Sequence, residues 1–196
     1  MDARRIVLIQ GHPDALMPHL GHALEDAYAQ GAEAGGHEVR RVAVAQLDFP
    51  LLRSEEAWKD GALPAALAQA QTDIAWAQHI VLFFPLWLGD MPALLKGFLE
   101  QVARPGFAFQ PQGDNLFARK GLSGRSARVV VTMGMQALLY RWYFRAHSVK
   151  NLERNILGSV GIAPVNETLI GMVDKLGDAG VQKWTDKLRQ LGGAAQ

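Results

Sequence analysis

Short, uninterrupted apolar runs separated by stretches of helical periodicity are the feature that most constrains this chain. Ile6-Val7-Leu8-Ile9 leads into Gly11-His12-Pro13, His79-Ile80-Val81-Leu82-Phe83-Phe84 ends at Pro85, and Ala127 to Thr132 gives way to Met133-Gly134-Met135. A strand with one wet face alternates apolar and polar residues. A run that is apolar at nearly every position is a strand buried on both faces, as in a parallel sheet sandwiched by helices. Val39 to Val44 and Glu167 to Ile170 read as two further strands. Between them, Leu20, Ala23, Leu24, Ala27 and Gly31 recur at helical spacing up to Gly35-Gly36, and Leu67 to Ala77 is alanine-rich. Pro92 suits a helix start, and Leu95, Phe98, Leu99 and Val102 share one face of the helix it would open. A long helix is expected over Leu138 to Leu157, and a last amphipathic one carries Val181, Trp184, Leu188 and Leu191. Residues 45–64 read as irregular, and the Gly- and Pro-rich stretch 104–126 as an excursion outside the repeat. The pattern predicts an α/β fold: a five-stranded parallel sheet with helices on both faces, right-handed crossovers, and a ligand at the carboxyl ends of the strands.

Composition removes several chemistries. A chain of 196 residues is expected to form a single domain, residues 1–196. Lys and Arg number 20 against 19 Asp and Glu, with no block of like charge, which argues against a dedicated nucleic-acid binder and against a strongly acidic electron carrier. The absence of Cys excludes a thiolate nucleophile, a disulfide framework, Cys-ligated zinc and a Cys-held iron–sulfur cluster. Neither a G-x-G-x-x-G nor a G-x-x-x-x-G-K-[ST] pattern occurs, and no G-x-S-x-G elbow. The apolar run after Arg4-Arg5 is too short for a leader sequence, and the uncharged stretch Ile74 to Gly89 is too short to span a bilayer. The expectation is a cytoplasmic domain without membrane insertion.

Function is then sought in the three loops that leave the central strands. Gly11 to His19 joins a strand to a helix, where unpaired N–H groups and the helix dipole favour an anion such as phosphate; the plain alternative is a connection in which His12 caps backbone groups. Phe84 to Pro92 is apolar and aromatic where loops are normally polar, which suits a flat aromatic ligand against Trp87; alternatively Trp87 and Leu88 seal the core or a subunit interface. Thr132-Met133-Gly134-Met135-Gln136 permits close approach of backbone to a ligand, or is a simple turn. His19 and His22 share a helix face near His12, but no third ligand at suitable spacing accompanies them, so no metal is expected.

Taken together, Gly11-His12-Pro13-Asp14, Phe84-Pro85-Leu86, Pro92 to Phe98, Gly106-Phe107-Ala108-Phe109, Lys120-Gly121-Leu122 and Thr132-Met133-Gly134-Met135 resemble the flavodoxin-like NAD(P)H:quinone oxidoreductases, in order and spacing over residues 4–190. The resemblance implies a flavodoxin-like fold, bound FAD or FMN with FAD favoured, and two-electron transfer from NAD(P)H to a quinone or similar small acceptor. It also implies a homodimer with the active site near the subunit interface. Carried over by position, His12 and the turn Met17-Pro18-His19 would hold the phosphate arm. Pro85, Leu86, Trp87, Leu88 and Gly89 would meet the isoalloxazine from one side, and Thr132, Met133, Gly134 and Met135 from the other. Tyr140 and His147 are the candidate catalytic donors, and Phe109 matches an aromatic lining the acceptor pocket. The chain departs from the family at Met17, where Ser is usual, at Pro18-His19 in place of Phe-Asn, and at Met133 and Met135 in a T-T-G-G signature. A family catalytic His falls at Ala146, with His147 one place on. A second reading within the resemblance is a flavin-binding ancillary subunit of a potassium efflux system, for which the basic-aromatic segment Tyr140 to Arg145 leaves room.

Overall fold

The computed structural model describes residues 2–112 and 115–196, and the side chains of all of these except 111–118. Five strands, β1 (Arg5–Gln10), β2 (Glu38–Ala43), β3 (His79–Pro85), β6 (Ser126–Thr132) and β7 (Val165–Ile170), form one sheet in the order β2-β1-β3-β6-β7. Every neighbouring pair is parallel, with Ile9 beside Leu82 and Phe84 beside Val131. Burial follows the apolar runs. The three central strands are buried at nearly every position, while the edge strands β2 and β7 are only partly buried.

Helices cover both faces. Ile6, Leu8, Val81, Phe83, Val130 and Ile170 pack under α1 (Leu20–Ala34) and α8 (Gly177–Gly193). Val7, Ile9, Ile80, Leu82, Val129 and Val131 face the other way, against α3 (Ala68–Trp76), α4 (Ala93–Val102) and the segment 137–160. A short helix α2 (Glu55–Lys59) interrupts the 45–64 stretch, capped by Ser54 Oγ accepting from the Ala57 N–H at 3.1 Å. The described residues of 104–125 stand outside the main sheet as expected and include the antiparallel pair β4 (Phe109–Gln112) and β5 (Asn115–Lys120), whereas Ser126, expected in the excursion, opens β6.

The single long helix expected over Leu138 to Leu157 does not form. Helix α5 (Ala137–Trp142) stops, Arg145 and Ala146 adopt left-handed backbone conformations, and α6 (His147–Asn151) restarts the spiral. A π-helical stretch, Leu152–Leu157, and a last turn α7 (Gly158–Val160) complete it. Tertiary bonding overrides the helical pattern: Ala146 N–H donates to Tyr140 O at 3.0 Å, and the buried Tyr140 hydroxyl meets Ser148 Oγ at 2.6 Å. These bonds fold the chain back on α5 and satisfy its end, in the manner of a Schellman closure. No helix among the described residues is long and apolar enough to cross a membrane.

The chain runs from β1 to β2 on one side of the sheet and then to β3 on the other. A crevice therefore opens at the carboxyl ends of β1 and β3, and such crevices are where open α/β sheets bind ligands.

Candidate functional site

Loop one leaves β1 at this crevice. Gly11 N–H donates to Phe83 O at 2.7 Å, which ties the loop to the end of β3. Gln10 orients it: its Oε1 accepts from the His12 N–H (3.1 Å) while its Nε2 donates to Gly21 O and to Glu25 Oε2, both at 3.1 Å on α1. His12 is buried, and its Nδ1 accepts from the Asp14 N–H at 3.1 Å. Its ring stacks on His19, with centroids 3.8 Å apart and planes 19° from parallel, and stands 5.6 Å from His22. Burial, then the neighbouring His19 and His22, hold His12 below the usual imidazole range; burial, then His19, do the same to His22. His22 Nδ1 accepts from the His19 N–H at 3.2 Å, where α1 begins. Among the described residues no group of three His, Cys, Asp or Glu is arranged to hold a metal ion.

Loop two crosses the mouth of the crevice. Leu86 N–H donates to Thr132 O at 2.8 Å, joining this loop to the end of β6. Residues 87–90 form a tight turn closed by Trp87 N–H to Asp90 O (2.8 Å) and Asp90 N–H to Trp87 O (3.0 Å). Its two central residues, Leu88 (φ 48°) and Gly89 (φ 82°), both need positive φ. Glycine takes that conformation freely, but leucine there costs roughly 1–2 kcal/mol. The strained Leu88 side chain is fully exposed, and Trp87 is 50% exposed with its ring edge-on to His12 at 5.9 Å. Backbone strain combined with exposed apolar side chains marks a place where something other than water is expected to bind.

Loop three closes the far side. Met133 N–H donates to Ile170 O at 2.8 Å and the Met133 side chain is buried in the core, so this residue offers the site only backbone. Gly134 is exposed and Met135 half-buried. Among the described residues, no acceptor pairs with the N–H groups of Leu88, Gly89, Gly134 or Met135. Two loops at adjacent strand ends thus carry free backbone donors beside an apolar aromatic wall. That donor set fits a flat heteroaromatic with a polar rim.

His12, Met17, Pro18, His19, Pro85 to Gly89 and Thr132 to Met135 therefore sit on loops that these hydrogen bonds hold side by side. The other sequence candidates lie outside these three loops. Tyr140 is buried, and its hydroxyl bonds Ser148 Oγ at 2.6 Å and accepts from the Val149 N–H at 3.4 Å. His147 is exposed at the start of α6. Phe109 lies edge-on to Trp58 at 6.1 Å and lines a groove of about 180 Å³ with Leu99, Ala103 and Ile156.

Sequence reasoning missed the cleft beside loop one. It measures about 520 Å³ and runs from Met17 and Pro18 past His22, Glu25 and Asp26 to Arg41 and Gln46. Only the helical spacing that brings His22, Glu25 and Asp26 to the first turns of α1 hinted at it. Burial pushes the Glu25 carboxyl above the usual carboxylate range, and Arg41 pairs with Asp26 at 2.5 Å and lies 3.9 Å from Glu25.

The Flavodoxin_2 family, described as a flavodoxin-like fold, matches residues 4–191. The chain belongs to this family. Among similar proteins, an uncharacterized NAD(P)H oxidoreductase of Haemophilus influenzae is 26% identical over 176 residues, covering 88% of this chain and 86% of the relative. A ribosyldihydronicotinamide dehydrogenase-like protein, traD, of Penicillium crustosum is 28% identical over 156 residues; the match covers 66% of this chain but only 57% of that longer protein. The solved NAD(P)H:quinone oxidoreductase of Methanothermobacter marburgensis superposes with a TM-score of 0.80 at 20% identity, over 98% of this chain and 96% of that one. The five-stranded parallel sheet that the sequence pattern implied is thus the flavodoxin-like arrangement that the family resemblance implied.

Proposed function

We propose that the protein is a flavin-dependent oxidoreductase carrying two electrons from NAD(P)H to a quinone or similar small acceptor. The observation that supports this most is the meeting of three loops at the topological switch point, where a phosphate-sized turn, an exposed Trp and free backbone donors stand side by side. The names of the relatives point the same way.

A bound flavin supplies the redox chemistry. The chain's own residues bind and orient. His12, His19 and the N–H groups of Leu16 and Met17 form the polar wall for the phosphate arm. Trp87, with Leu86 and Leu88, forms the apolar wall that excludes water from the ring system, and Pro85 and Thr132 fix the loops bearing the free donors of Gly89, Gly134 and Met135. Reduction of a quinone needs protons as well as electrons. His147 is the exposed titratable group we assign to that task, and Tyr140 positions it through Ser148 at the fold-back between α5 and α6. FMN is the form we favour in place of FAD: beyond the first phosphate the cleft turns acidic, and Arg41 in its lining is already engaged by Asp26 and Glu25.

We also infer a homodimer. Leu138, Leu139, Trp142, Tyr143 and Phe144 are exposed together on α5 and its exit, with Trp142 77% and Tyr143 75% exposed. That is more aromatic surface than a monomer of this size ordinarily leaves wet. Phe109 would line the acceptor pocket across that interface. Light scattering at micromolar concentration should return twice the chain mass; a monomer mass contradicts the inference.

Trp87→Ala tests the site itself. Because Trp87 is half-exposed, apo stability should change by less than about 1 kcal/mol, as for most surface substitutions. Loss of an aromatic stacking wall should weaken FMN binding by about tenfold or more. An unchanged FMN affinity with a large loss of apo stability would make Trp87 a packing residue instead.

A further inference from the structure

The donors from Leu16 to His19 in the phosphate turn are already engaged within the chain. The N–H groups of Leu16 and Met17 donate to Asp14 Oδ1 at 2.9 and 3.3 Å. Pro18 has no N–H, and the His19 N–H goes to His22 Nδ1 at 3.2 Å. The His19 ring completes the set, with Nε2 donating to Asp14 Oδ2 at 2.9 Å. A turn that the fold sets up to receive an anion thus holds one of its own.

We propose that the Asp14 carboxylate is the resident anion of this turn, competes with the flavin phosphate for the same donors, and so sets how tightly phosphorylated flavins are held. This rests on the reading of the site as flavin-binding. The hydrogen bond from His19, followed by that from the Leu16 N–H, holds the Asp14 carboxyl below its usual range, so the group is an anion at neutral pH. A phosphate reaching the Leu16 and Met17 N–H groups and the His19 ring must displace that carboxylate, because two anions cannot share donors at contact distance without a large repulsive cost. The Asp14 side chain is 37% exposed, so it has a route out into solvent. Flavins without a phosphate make no such exchange. Asp14 is thereby a specificity-determining residue: it lowers the affinity for phosphorylated flavin and leaves the ring system's own contacts untouched.

The opposite expectation is that Asp14 merely props the turn in shape. The two differ in sign. If Asp14 is a competitor, Asp14→Asn, which removes the charge, and Asp14→Ala, which removes the acceptor, both tighten FMN, on the order of tenfold, the usual size of a relieved like-charge contact. Riboflavin, which lacks the phosphate, should shift less than about twofold. If Asp14 is a prop, both variants weaken FMN.

The experiment is fluorescence-quenching titration of wild type, Asp14→Asn and Asp14→Ala with FMN and with riboflavin, with thermal unfolding of each apo protein alongside. Tighter FMN with unchanged riboflavin supports the proposal, as does FMN binding by the variants alone. Equal or weaker FMN binding in folded variants overturns it, and so does an equal gain for riboflavin. Wild-type binding of FMN with no gain in the variants fails this inference while leaving the flavin reading standing. Absence of both ligands from all three folded proteins fails both.

Discussion

Gly31→Ala is expected to destabilise the protein by about 3 kcal/mol, at the upper end of overpacking costs. Helix propensity alone gives the opposite sign, since Ala replacing Gly inside a helix gains roughly 0.5–1 kcal/mol. Packing decides. Helices α1 and α8 cross with their backbones in contact, and a Cβ at Gly31 would sit 1.9 Å from Arg189 O. On the facing helix, a Cβ at Gly192 would sit 2.1 Å from Tyr28 O. Both obstacles are main-chain carbonyls, which cannot rotate away, so the helices must separate and uncover the core around Leu24, Tyr28 and Leu188. Gly97→Ala is the control. Its Cβ would press on Leu51 Cδ2 at 2.6 Å, the tip of an exposed side chain that can turn aside, and meet Phe49 Cε2 at an ordinary contact distance of 3.8 Å, so that variant should be neutral or slightly stabilised. Urea unfolding of the three proteins reads this out; equal midpoints for Gly31→Ala and wild type would mean that the helices do not touch as described.

Acid should destabilise the fold through His79. This residue opens β3, is 1% exposed, and bonds Ser126 Oγ through Nδ1 at 2.8 Å. Among the described residues its Nε2 has no hydrogen-bond partner, although the Gln196 backbone lies near enough to raise its pKa slightly. Burial, then the cations of Arg128 and Arg4, push the imidazole down to about 4 from an ordinary 6.5. The folded state therefore disfavours the protonated form. The stability due to neutral His79 is full above pH 6.5 and is lost as pH falls from there towards 4. A shift of this size corresponds to about 3 kcal/mol at most. Arg128 shares the predicament: it is buried, donates to the neutral Thr168 Oγ1 at 2.8 Å, and among the described residues its Nε has no partner. His12 and His22 also resist protonation, so the test is differential. Between pH 7.5 and 4.5, His79→Gln should lose distinctly less stability than wild type; parallel losses would show that His79 is not the group responsible.

The parallel sheet was legible because burial on both faces leaves a mark that needs no partner to interpret: Ile6 to Ile9, His79 to Phe84 and Ala127 to Thr132 are apolar at nearly every position. The end of α5 was not legible. The Leu138 to Leu157 pattern is helical throughout, and what breaks it is a tertiary bond between Tyr140 and Ser148 together with two left-handed residues, none of which has a periodic signature. At the site, loop positions followed from strand ends, and Trp87 and His12 stood out by residue type. The resemblance sets Met133 against the isoalloxazine, but its side chain is buried in the core, a distinction that depends on how the chain turns after β6. The role of Asp14 was equally hidden, since an Asp in a turn has many uses and only the folded loop shows which N–H groups it takes. The acidic cleft of Glu25 and Asp26 needed β2 and α1 placed side by side before it existed at all.

The central claim is that the switch-point site passes electrons from a nicotinamide donor, through a bound flavin, to a quinone. The direct measurement is an anaerobic titration of the FMN-loaded protein followed by visible absorbance. An equivalent of NADPH or NADH should bleach the flavin band, and an equivalent of a soluble benzoquinone added afterwards should restore it. A band that neither nucleotide bleaches, or a bleached band that the quinone leaves unchanged, would contradict the account.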